Sequence, residues 1–348
     1  MKKIFFTTTK EYSGVSAVVI GCILLLKEKG LRVGYMKPLG YLPIHKDGIW
    51  TDIDSSFVFS ILNEKENAGL SSPFVLNEEV IEDFLDGKMS FKEGKLEEAY
   101  NFLSKDKDVF IFEGGFNIYQ GRSFGMSGFE VANKFDLPVV LIERFKKMEV
   151  SDRVLLMKEI LKERLKGVIL NMVFDEDMES AKKEATNLSK NGISVFGIIP
   201  WTNVLQSSSI KALKDELGAE VLCAQEYIDK LVQSVMIGAM DAEHALTFFQ
   251  RKKNLAVITG GDRADIQLAA LEAHCVCLIL TGGFPPSDII LGLANQKNVP
   301  ILLVGYDTLT TAQKAEWLIG HSRTHEKEKL SLLTSLIKEN VKIDELLA

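Results

Sequence analysis

Short apolar segments alternate with stretches of helical periodicity along the first part of this chain, and no other feature constrains the fold as strongly. The first apolar segment is residues 4–7, and others follow as LRVGYMKP, DVFIFEGG, LPVVLIE, GVILNMV and SVFGIIP. A helix is predicted at residues 15–29, because Gly30 stands where a helix would stop. Buried strands separated by helices are typical of a mainly parallel sheet covered on both faces. The sequence therefore predicts an α/β fold.

The chain changes character after Pro200. The polar segment 201–209, WTNVLQSSS, predicts a linker, after which a second and smaller α/β series begins. Its predicted strands are VLCA, LAVITGG, CVCLILTGG and VPILLVG, with helices at 264–273 and 287–296. We place the two domains at 1–203 and 204–320. Residues 321–348 predict one amphipathic helix, which packs on its own domain or on a symmetry mate.

Composition argues against several classes of protein. The chain has 348 residues, which favours two domains, and a net charge of −7, which argues against a nucleic-acid partner. No apolar run reaches the ~18 residues of a membrane span, and the start MKKIFFTTTKEYSG is too polar for a signal peptide. Four cysteines in a chain of this size make no disulfide framework. We expect a soluble, cytoplasmic protein with no membrane contact.

The sequence has one cysteine pair and one histidine pair that could be taken for metal ligands, and neither needs a metal to explain it. Cys275 and Cys277 are predicted in one strand, where side chains two residues apart share a face. Because no second pair with zinc spacing accompanies them, we interpret both as buried core residues. His321 and His325 stand among Arg and Lys and are interpreted as part of a solvated face.

The first strand–turn–helix connection is a candidate phosphate-binding loop. Such a loop ends in Gly-Lys-Ser/Thr, where the lysine reaches the β- and γ-phosphates and the hydroxyl holds Mg²⁺. The corresponding residues here are Gly14, Val15 and Ser16, and a threonine replaces the opening glycine. Lys10 is a candidate replacement for the missing cation. The alternative is a plain strand–turn–helix connection with no ligand.

The first 203 residues resemble a family of ATP-dependent enzymes. The run TTTKEYSGVSAVVIGCILLLKEKGLRVGYMKPLG is similar to the opening of dethiobiotin synthetase and of related amidoligase-type ATPases such as the cobyrinic acid a,c-diamide synthases. The resemblance implies a phosphate-loop NTPase-like fold with ATP and Mg²⁺ as ligands. It implies nucleotide-binding roles for Thr9, Lys10, Gly14, Ser16, Lys37 and Asn171. It also implies metal-binding roles for Asp54 and Glu113, with Asp52 the poorer match; each aspartate could instead be a capping carboxylate.

The second series resembles the DRTGG domain over about residues 206–320. The resemblance rests on the segments VITGGDRADIQLAALEA, LILTGGFPPSDIILGLA and VPILLVGYDTLTTA. Glycines, threonines and charged residues at one strand edge would make a small polar pocket. The candidate ligand-binding residues are Asp262, Arg263, Asp265, Thr281, Gly282 and Gly283. Alternatively, Asp262 or Asp265 caps the helix that follows and Arg263 pairs with them.

The two domains in this order resemble the N-terminal regulatory half of long phosphotransacetylases. A catalytic acetyl-transfer domain follows them there, whereas this sequence ends at Ala348, so we expect no acetyl transfer to CoA. We expect a stand-alone regulatory or sensor protein that binds a small ligand or nucleotide without efficient ATP hydrolysis. A homo-oligomer is expected, and a metabolic enzyme is a candidate partner.

Two alternatives to the regulatory role stay open. One is an ATP-dependent amidoligase or carboxylase-type enzyme related to dethiobiotin or cobyrinic acid a,c-diamide synthesis, in which Lys10 or Lys37 covers for the lost lysine. The other is a scaffolding subunit of a metabolic complex.

Overall fold

The computed structural model describes residues 1–46, 48–64, 67–88, 94–320 and 327–348. The chain divides into two compact units. The first unit is Met1–Trp201 together with Lys327–Ala348, and the second unit is Thr202–Glu326. No helix in the described ranges is long and apolar enough to cross a bilayer.

The first unit is built on a parallel sheet. Its elements up to Trp201 are β1 (Lys2–Thr7), α1 (Val15–Glu28), β2 (Val33–Met36), β3 (Leu39–Gly40), β4 (Pro43–Lys46), β5 (Ile49–Asp52), α2 (Ile53–Leu62), α3 (Ala68–Ser71), β6 (Phe74–Val75), α4 (Glu78–Leu85), α5 (Lys95–Leu103), β7 (Val109–Glu113), α6 (Gly128–Phe135), β8 (Val139–Arg144), α7 (Glu149–Leu161), β9 (Leu165–Val173), α8 (Met178–Lys190) and β10 (Ser194–Pro200). The main sheet has the order β10-β9-β8-β1-β7-β2, with every pairing parallel.

The strand order determines which loops can meet. Strand β1 lies at the middle of the sheet, between β7 and β8. Its residues Ile4 to Thr7 are buried, because helices cover both faces of the sheet. The carboxyl ends of β1, β7 and β8 therefore lie side by side, which is where open α/β sheets bind ligands. The predicted α/β fold with a mainly parallel sheet is confirmed.

The second unit is a smaller α/β layer structure. Its elements are α9 (Asn203–Gln206), β11 (Ser208–Ser209), α10 (Ile210–Leu217), β12 (Glu220–Cys223), β13 (Leu231–Val232), β14 (Ser234–Ile237), α11 (Ala242–Phe249), β15 (Leu255–Gly260), α12 (Ala264–Glu272), β16 (Cys277–Thr281), α13 (Asp288–Gln296), β17 (Ile301–Leu303) and α14 (Thr308–Gly320). Its five-stranded sheet has the order β12-β17-β16-β15-β14, and only β12 is antiparallel to its neighbour.

The prediction for Cys275 and Cys277 was wrong in one respect. The strand begins at Cys277, and His274 just before Cys275 has a positive φ of 58°. Cys275 packs in a core cluster with Phe249 and Ile266, whereas Cys277 packs in another cluster with Ile210 and Leu302. The turn at His274 brings Cys275 out of strand register, so the two thiols do not share one face.

The C-terminal segment returns to the first unit. It forms two helices, α15 (Lys327–Asn340) and α16 (Ile343–Leu347), rather than the single helix predicted. Between them Val341 makes an antiparallel bridge to Gly197 of β10, and Lys342 N–H donates to the Phe196 carbonyl (2.8 Å). Val341 N–H still donates to the Ile337 carbonyl at 2.9 Å, so the bridge to β10 lies where α15 ends. The predicted solvated pair His321 and His325 lies outside the described residues.

Candidate functional site

The candidate phosphate-binding loop, residues 8–14, connects β1 to α1. It ends in a glycine with a left-handed backbone conformation. Gly14 has φ 79° and precedes the first residue of α1. A Cβ at Gly14 would lie 2.6 Å from Asn171 Nδ2 and 3.0 Å from Met172 Cε. Only glycine therefore fits this position, because both the backbone conformation and the space exclude a side chain. The first turn of α1 has no side-chain cap and no acidic residue, so its N–H groups face the loop uncapped by a carboxylate.

Val15 occupies the position of the missing lysine and is buried. Lys10, the candidate replacement, is half-exposed and pairs its Nζ with Glu149 Oε1 at 3.2 Å. The structure thus places Lys10 in a surface ion pair at the start of α7.

Asn171 lies beneath the loop. Its Nδ2 donates to the Ser13 carbonyl at 2.8 Å, and the residue is buried at the carboxyl end of β9. The side-chain amide that the family resemblance assigned to the nucleotide therefore supports the loop backbone here. A direct contact of Asn171 with a nucleotide stays a prediction.

Lys37 lies at the centre of a buried group of three carboxylates. Its Nζ is 3.0 Å from Asp52 Oδ1, 3.1 Å from Asp54 Oδ2 and 3.8 Å from Glu113 Oε1. We call Lys37, Asp52, Asp54 and Glu113 the carboxylate cluster. Burial alone would lower the pKa of Lys37, but the negative charges of Asp54, Asp52 and Glu113 outweigh it and raise that pKa. The lysine is therefore a fixed cation.

Each carboxylate of the cluster also has neutral donors. Asp52 caps helix α2, accepting the N–H of Asp54 at 3.0 Å and of Ser55 at 3.2 Å. Ser16 Oγ donates to Glu113 Oε1 at 2.7 Å and lies 3.3 Å from Asp54 Oδ2. The hydroxyl of Ser16 in α1 is thereby joined to the carboxyl end of β7 and to the first turn of α2. The structure brings Ser16, Lys37, Asp54 and Glu113 together as partners of one another. Their roles as phosphate and metal ligands stay predictions.

Glu113 is the carboxyl group of the cluster whose pKa is clearly raised. It is fully buried, and burial raises its pKa to about 7, although Lys37 opposes the rise and Asp54 adds to it. Tyr35 donates its hydroxyl to Glu113 Oε2 at 2.9 Å. A carboxyl held between Lys37 and Asp54 therefore changes charge near neutral pH.

The acidity of Glu113 predicts a pH dependence of stability. Because its pKa is raised in the folded state, its contribution to stability is full below about pH 4.5 and is lost as the pH rises to about 7. We expect this group to lower the free energy of unfolding by at most about 3 kcal/mol over that range. Urea denaturation of wild type and Glu113→Gln at several pH values tests this. The difference between the two proteins should change between pH 4.5 and 7, and a constant difference would contradict it.

The side chains of the carboxylate cluster are not arranged as ligands of a divalent metal ion. In the described ranges no group of three or more His, Cys, Asp and Glu side chains is arranged to hold a metal ion. Asp54 and Glu113 instead surround the ammonium of Lys37. This arrangement does not fit Mg²⁺ as it stands, so the metal-binding roles of Asp54 and Glu113 stay predictions.

A residue that the sequence did not nominate lies against the first half of the loop. Glu143 ends the apolar part of β8 and is fully buried. Its carboxylate accepts the Thr9 N–H at 2.6 Å and the Thr9 hydroxyl at 2.8 Å. Thr9, predicted to contact a cofactor, thus donates to an internal anion. In the sequence, the only indication of this role was that Glu143 ends the apolar segment LPVVLIE.

The glycines and threonines of the second unit lie at one sheet edge, as predicted. Thr281 Oγ1 is 2.9 Å from Thr308 Oγ1, and Gly260 and Thr281 end neighbouring strands. The Oε1 of Gln267 is buried there without a hydrogen-bond partner in the described residues, while its Nε2 donates to the carbonyls of Gly260 and Gly261. Gly282 and Gly283 donate their N–H groups to the carbonyls of Tyr306 and Val304.

The charged residues of this edge pair with each other. Arg263 donates to both Asp265 oxygens at 2.9 Å and to the Met240 carbonyl at 3.0 Å. Arg263 immediately precedes α12 and Asp265 lies in its first turn, which is the pairing that the alternative interpretation described. A ligand-binding role for Asp262, Arg263 and Asp265 stays a prediction.

Comparison with known proteins matches a family model to each of the two parts of the chain. A family model of the AAA domain matches residues 2–209, which is more than half of the chain. This chain belongs to the AAA domain family. A model of the DRTGG domain matches residues 212–318, immediately after the AAA domain. The two matches together correspond to the N-terminal half of phosphotransacetylases.

Curated relatives match different lengths of this chain. Phosphate acetyltransferase of Pseudomonas aeruginosa is 25% identical over 98% of this chain and 51% of its own length. The chain therefore spans about half the length of the curated acetyltransferases it matches. The cobalt-dependent inorganic pyrophosphatase of Clostridium perfringens is 29% identical over 45% of this chain and 29% of its own length. A solved structure of the CBS and DRTGG domains of a Clostridium perfringens pyrophosphatase has 20% identity and a TM-score of 0.29, covering 53% of this chain and 82% of that one.

Proposed function

We propose that this protein is a regulatory module whose AAA domain binds a nucleotide-class ligand without hydrolysing ATP efficiently. The observation that carries the proposal is Val15, a buried apolar residue at the first position of α1. A lysine at that position would reach the β- and γ-phosphates, and valine supplies neither charge nor a donor. The loop has a left-handed glycine directly before α1 but lacks the side chain that stabilises the charge of phosphoryl transfer.

The start of α1 supports binding of an anionic ligand. The helix has 14 residues and no side-chain cap, so the positive end of its dipole and its first N–H groups are directed at the loop. Gly14 in the left-handed region allows the backbone to turn into the helix at that point. These are the features by which a backbone binds phosphate.

The positions of the candidate lysines support the absence of efficient hydrolysis. Lys37 is held by the carboxylate cluster, and Lys10 pairs with Glu149 at the protein surface. To move either lysine to a phosphate would break an existing ion pair, and for Lys37 it would leave buried carboxylates uncompensated. Neither lysine therefore takes the place of the lost one without cost.

Two glycines at opposite ends of α1 provide a matched test. Gly14 and Gly30 both have φ 79°, but a Cβ at Gly30 would meet no atom within 4 Å. Gly14→Ala should therefore distort the loop and weaken binding of ADP at least about tenfold, or ~1.4 kcal/mol. Gly30→Ala carries the same backbone strain and should leave the affinity unchanged. Calorimetric titration of both variants and wild type with ADP measures the difference.

The outcomes of that titration are distinct. Binding to wild type that Gly14→Ala weakens and Gly30→Ala retains would support the proposed site. No heat with wild type up to millimolar ADP, with or without Mg²⁺, would contradict nucleotide binding. Equal loss in both variants would show that strain in α1, rather than the loop, controls binding.

The enzyme hypothesis keeps one specific observation in its favour. Ser16, Asp54 and Glu113 bring three oxygen-bearing side chains together beside the loop. An ATP-dependent ligase would show substrate-dependent release of phosphate, which a regulatory module would not. The homo-oligomer and the metabolic-enzyme partner stay predictions, to be tested by light scattering and by co-purification.

A further inference from the structure

Glu143 is a buried carboxylate beside the candidate phosphate-binding loop. Burial of its charge costs free energy unless several hydrogen-bond donors compensate it. It is fully buried at the carboxyl end of β8, the strand that pairs with β1 directly before the loop. The register places Thr7 opposite Leu141, so Thr9 and Glu143 are at the same level beyond it. A buried carboxylate in this position must be compensated by hydrogen bonds or by a cation.

The loop supplies most of that compensation. Thr9 gives its N–H to Oε1 at 2.6 Å and its hydroxyl to Oε2 at 2.8 Å, and Thr8 gives its hydroxyl to Oε1 at 3.3 Å. The remaining donor is Arg153 Nε of α7, 3.1 Å from Oε2. Three of these four hydrogen bonds come from the loop that the proposed function assigns to a phosphate. Burial raises the pKa of Glu143, while the bonds from Thr9 and Arg153 oppose the rise.

Other charges around Glu143 are tied to one another. Arg153 also pairs with Glu149 at 2.5 Å, and Glu149 pairs with Lys10 at 3.2 Å and Lys146 at 2.7 Å. The network therefore links the loop at Thr8 to Lys10 with the start of α7. Glu143 is the member of this network whose charge is fully buried.

We propose that Glu143 is an internal anion that holds the donors of the loop's first half and limits the negative charge that a ligand can bring there. The inference rests on the proposed function, since it concerns the same loop. A phosphate approaching Thr8 and Thr9 meets donors already bonded to a carboxylate and is repelled by its charge. Glu143 thus acts as a specificity-determining residue that weakens binding of highly charged anions.

A substitution that removes the charge of Glu143 but keeps the shape of its side chain tests this proposal. Glu143→Gln keeps an acceptor for the Thr9 N–H, removes the negative charge and frees Arg153 Nε. We expect the variant to bind ADP about tenfold more tightly than wild type in metal-free calorimetry, which corresponds to ~1.4 kcal/mol. The gain should be smaller for inorganic phosphate, which carries less charge into the loop.

Glu184 provides the matched control. It is also a buried glutamate, and it accepts the Met148 N–H at 2.7 Å and the Ser151 hydroxyl at 2.7 Å at the start of α7. Glu184→Gln changes the same chemistry beside α7 without a bond to the loop, so ADP affinity should equal that of wild type. Arg153→Gln provides a second, more exposed variant, and it should weaken ADP binding about threefold because the charge of Glu143 is less compensated.

The outcomes separate this inference from the proposed function. Tighter binding by Glu143→Gln alone supports the inference, even if wild type binds no ADP and the proposed function fails. Binding by wild type with equal or lower affinity in Glu143→Gln overturns the inference and leaves the proposed function standing. If Glu143→Gln does not fold, unchanged or tighter binding by Arg153→Gln overturns it. No binding by any variant overturns both.

Discussion

Replacement of Lys37 by methionine is expected to destabilise the first unit by about 3–5 kcal/mol. Methionine keeps the length and apolar stem of lysine but removes the cation shared by Asp52, Asp54 and Glu113. The carboxylates stay buried, so each loses an ion pair without regaining water. Native-state hydrogen exchange of amides in β1 and β7 measures the free energy of opening of this unit directly.

Two controls make the Lys37 result specific. Lys88→Met removes an exposed lysine that pairs with Asp86, and its effect should stay within about 1 kcal/mol. Addition of Asp54→Asn to Lys37→Met removes one of the uncompensated charges and should recover part of the loss. If Lys37→Met were no more destabilising than Lys88→Met, the carboxylate cluster would not be the electrostatic centre of the site.

Truncation of Ile337 to alanine is expected to destabilise the first unit by about 2–5 kcal/mol. Ile337 is buried on α15, and a Cβ added at Gly21 of α1 would lie 2.5 Å from its Cγ1. The C-terminal helix is therefore a close-packed cover of the helix that begins at the candidate loop. Loss of its side chain leaves a cavity against α1.

A double-mutant cycle tests that contact. Gly21→Ala alone should destabilise the unit because Ile337 cannot move away freely, but Gly21→Ala with Ile337→Ala should cost less than the sum by about 1 kcal/mol or more. Ser335→Ala, on the exposed side of the same helix, should change stability by no more than about 0.5 kcal/mol. Additive effects of Gly21→Ala and Ile337→Ala would contradict the packing of α15 on α1.

The elements of the fold were predictable where one physical pattern dominates. Apolar runs located the parallel strands, and the helices expected at 15–29, 264–273 and 287–296 were observed as α1, α12 and α13. The two helices of the C-terminal segment and their packing on the first unit were not predictable, because hydrophobic periodicity identifies an apolar face but not the element that it packs against. Its return to β10 through Val341 depends on a pairing with Gly197 more than a hundred residues earlier, which no local pattern indicates.

The candidate site was predictable in position rather than in its interactions. Ser16, Lys37, Asp54 and Glu113 follow strands or begin a helix, so the fold class alone brings them to one sheet edge. That the ammonium of Lys37 would lie among the carboxylates depends on side-chain geometry, which sequence spacing does not contain. Glu143 was missed because one carboxylate after an apolar strand is indistinguishable from an exposed strand end.

The most direct measurement of the central claim follows nucleotide binding and hydrolysis in the same sample. The protein is incubated with ATP and Mg²⁺, and bound nucleotide and released phosphate are counted per chain. We expect saturable binding with hydrolysis slower than about 10⁻³ s⁻¹, far below the 1–10³ s⁻¹ of typical enzymes. Phosphate release within the range of typical enzymes, lost in Gly14→Ala but retained in Gly30→Ala, would contradict it and identify the loop as catalytic.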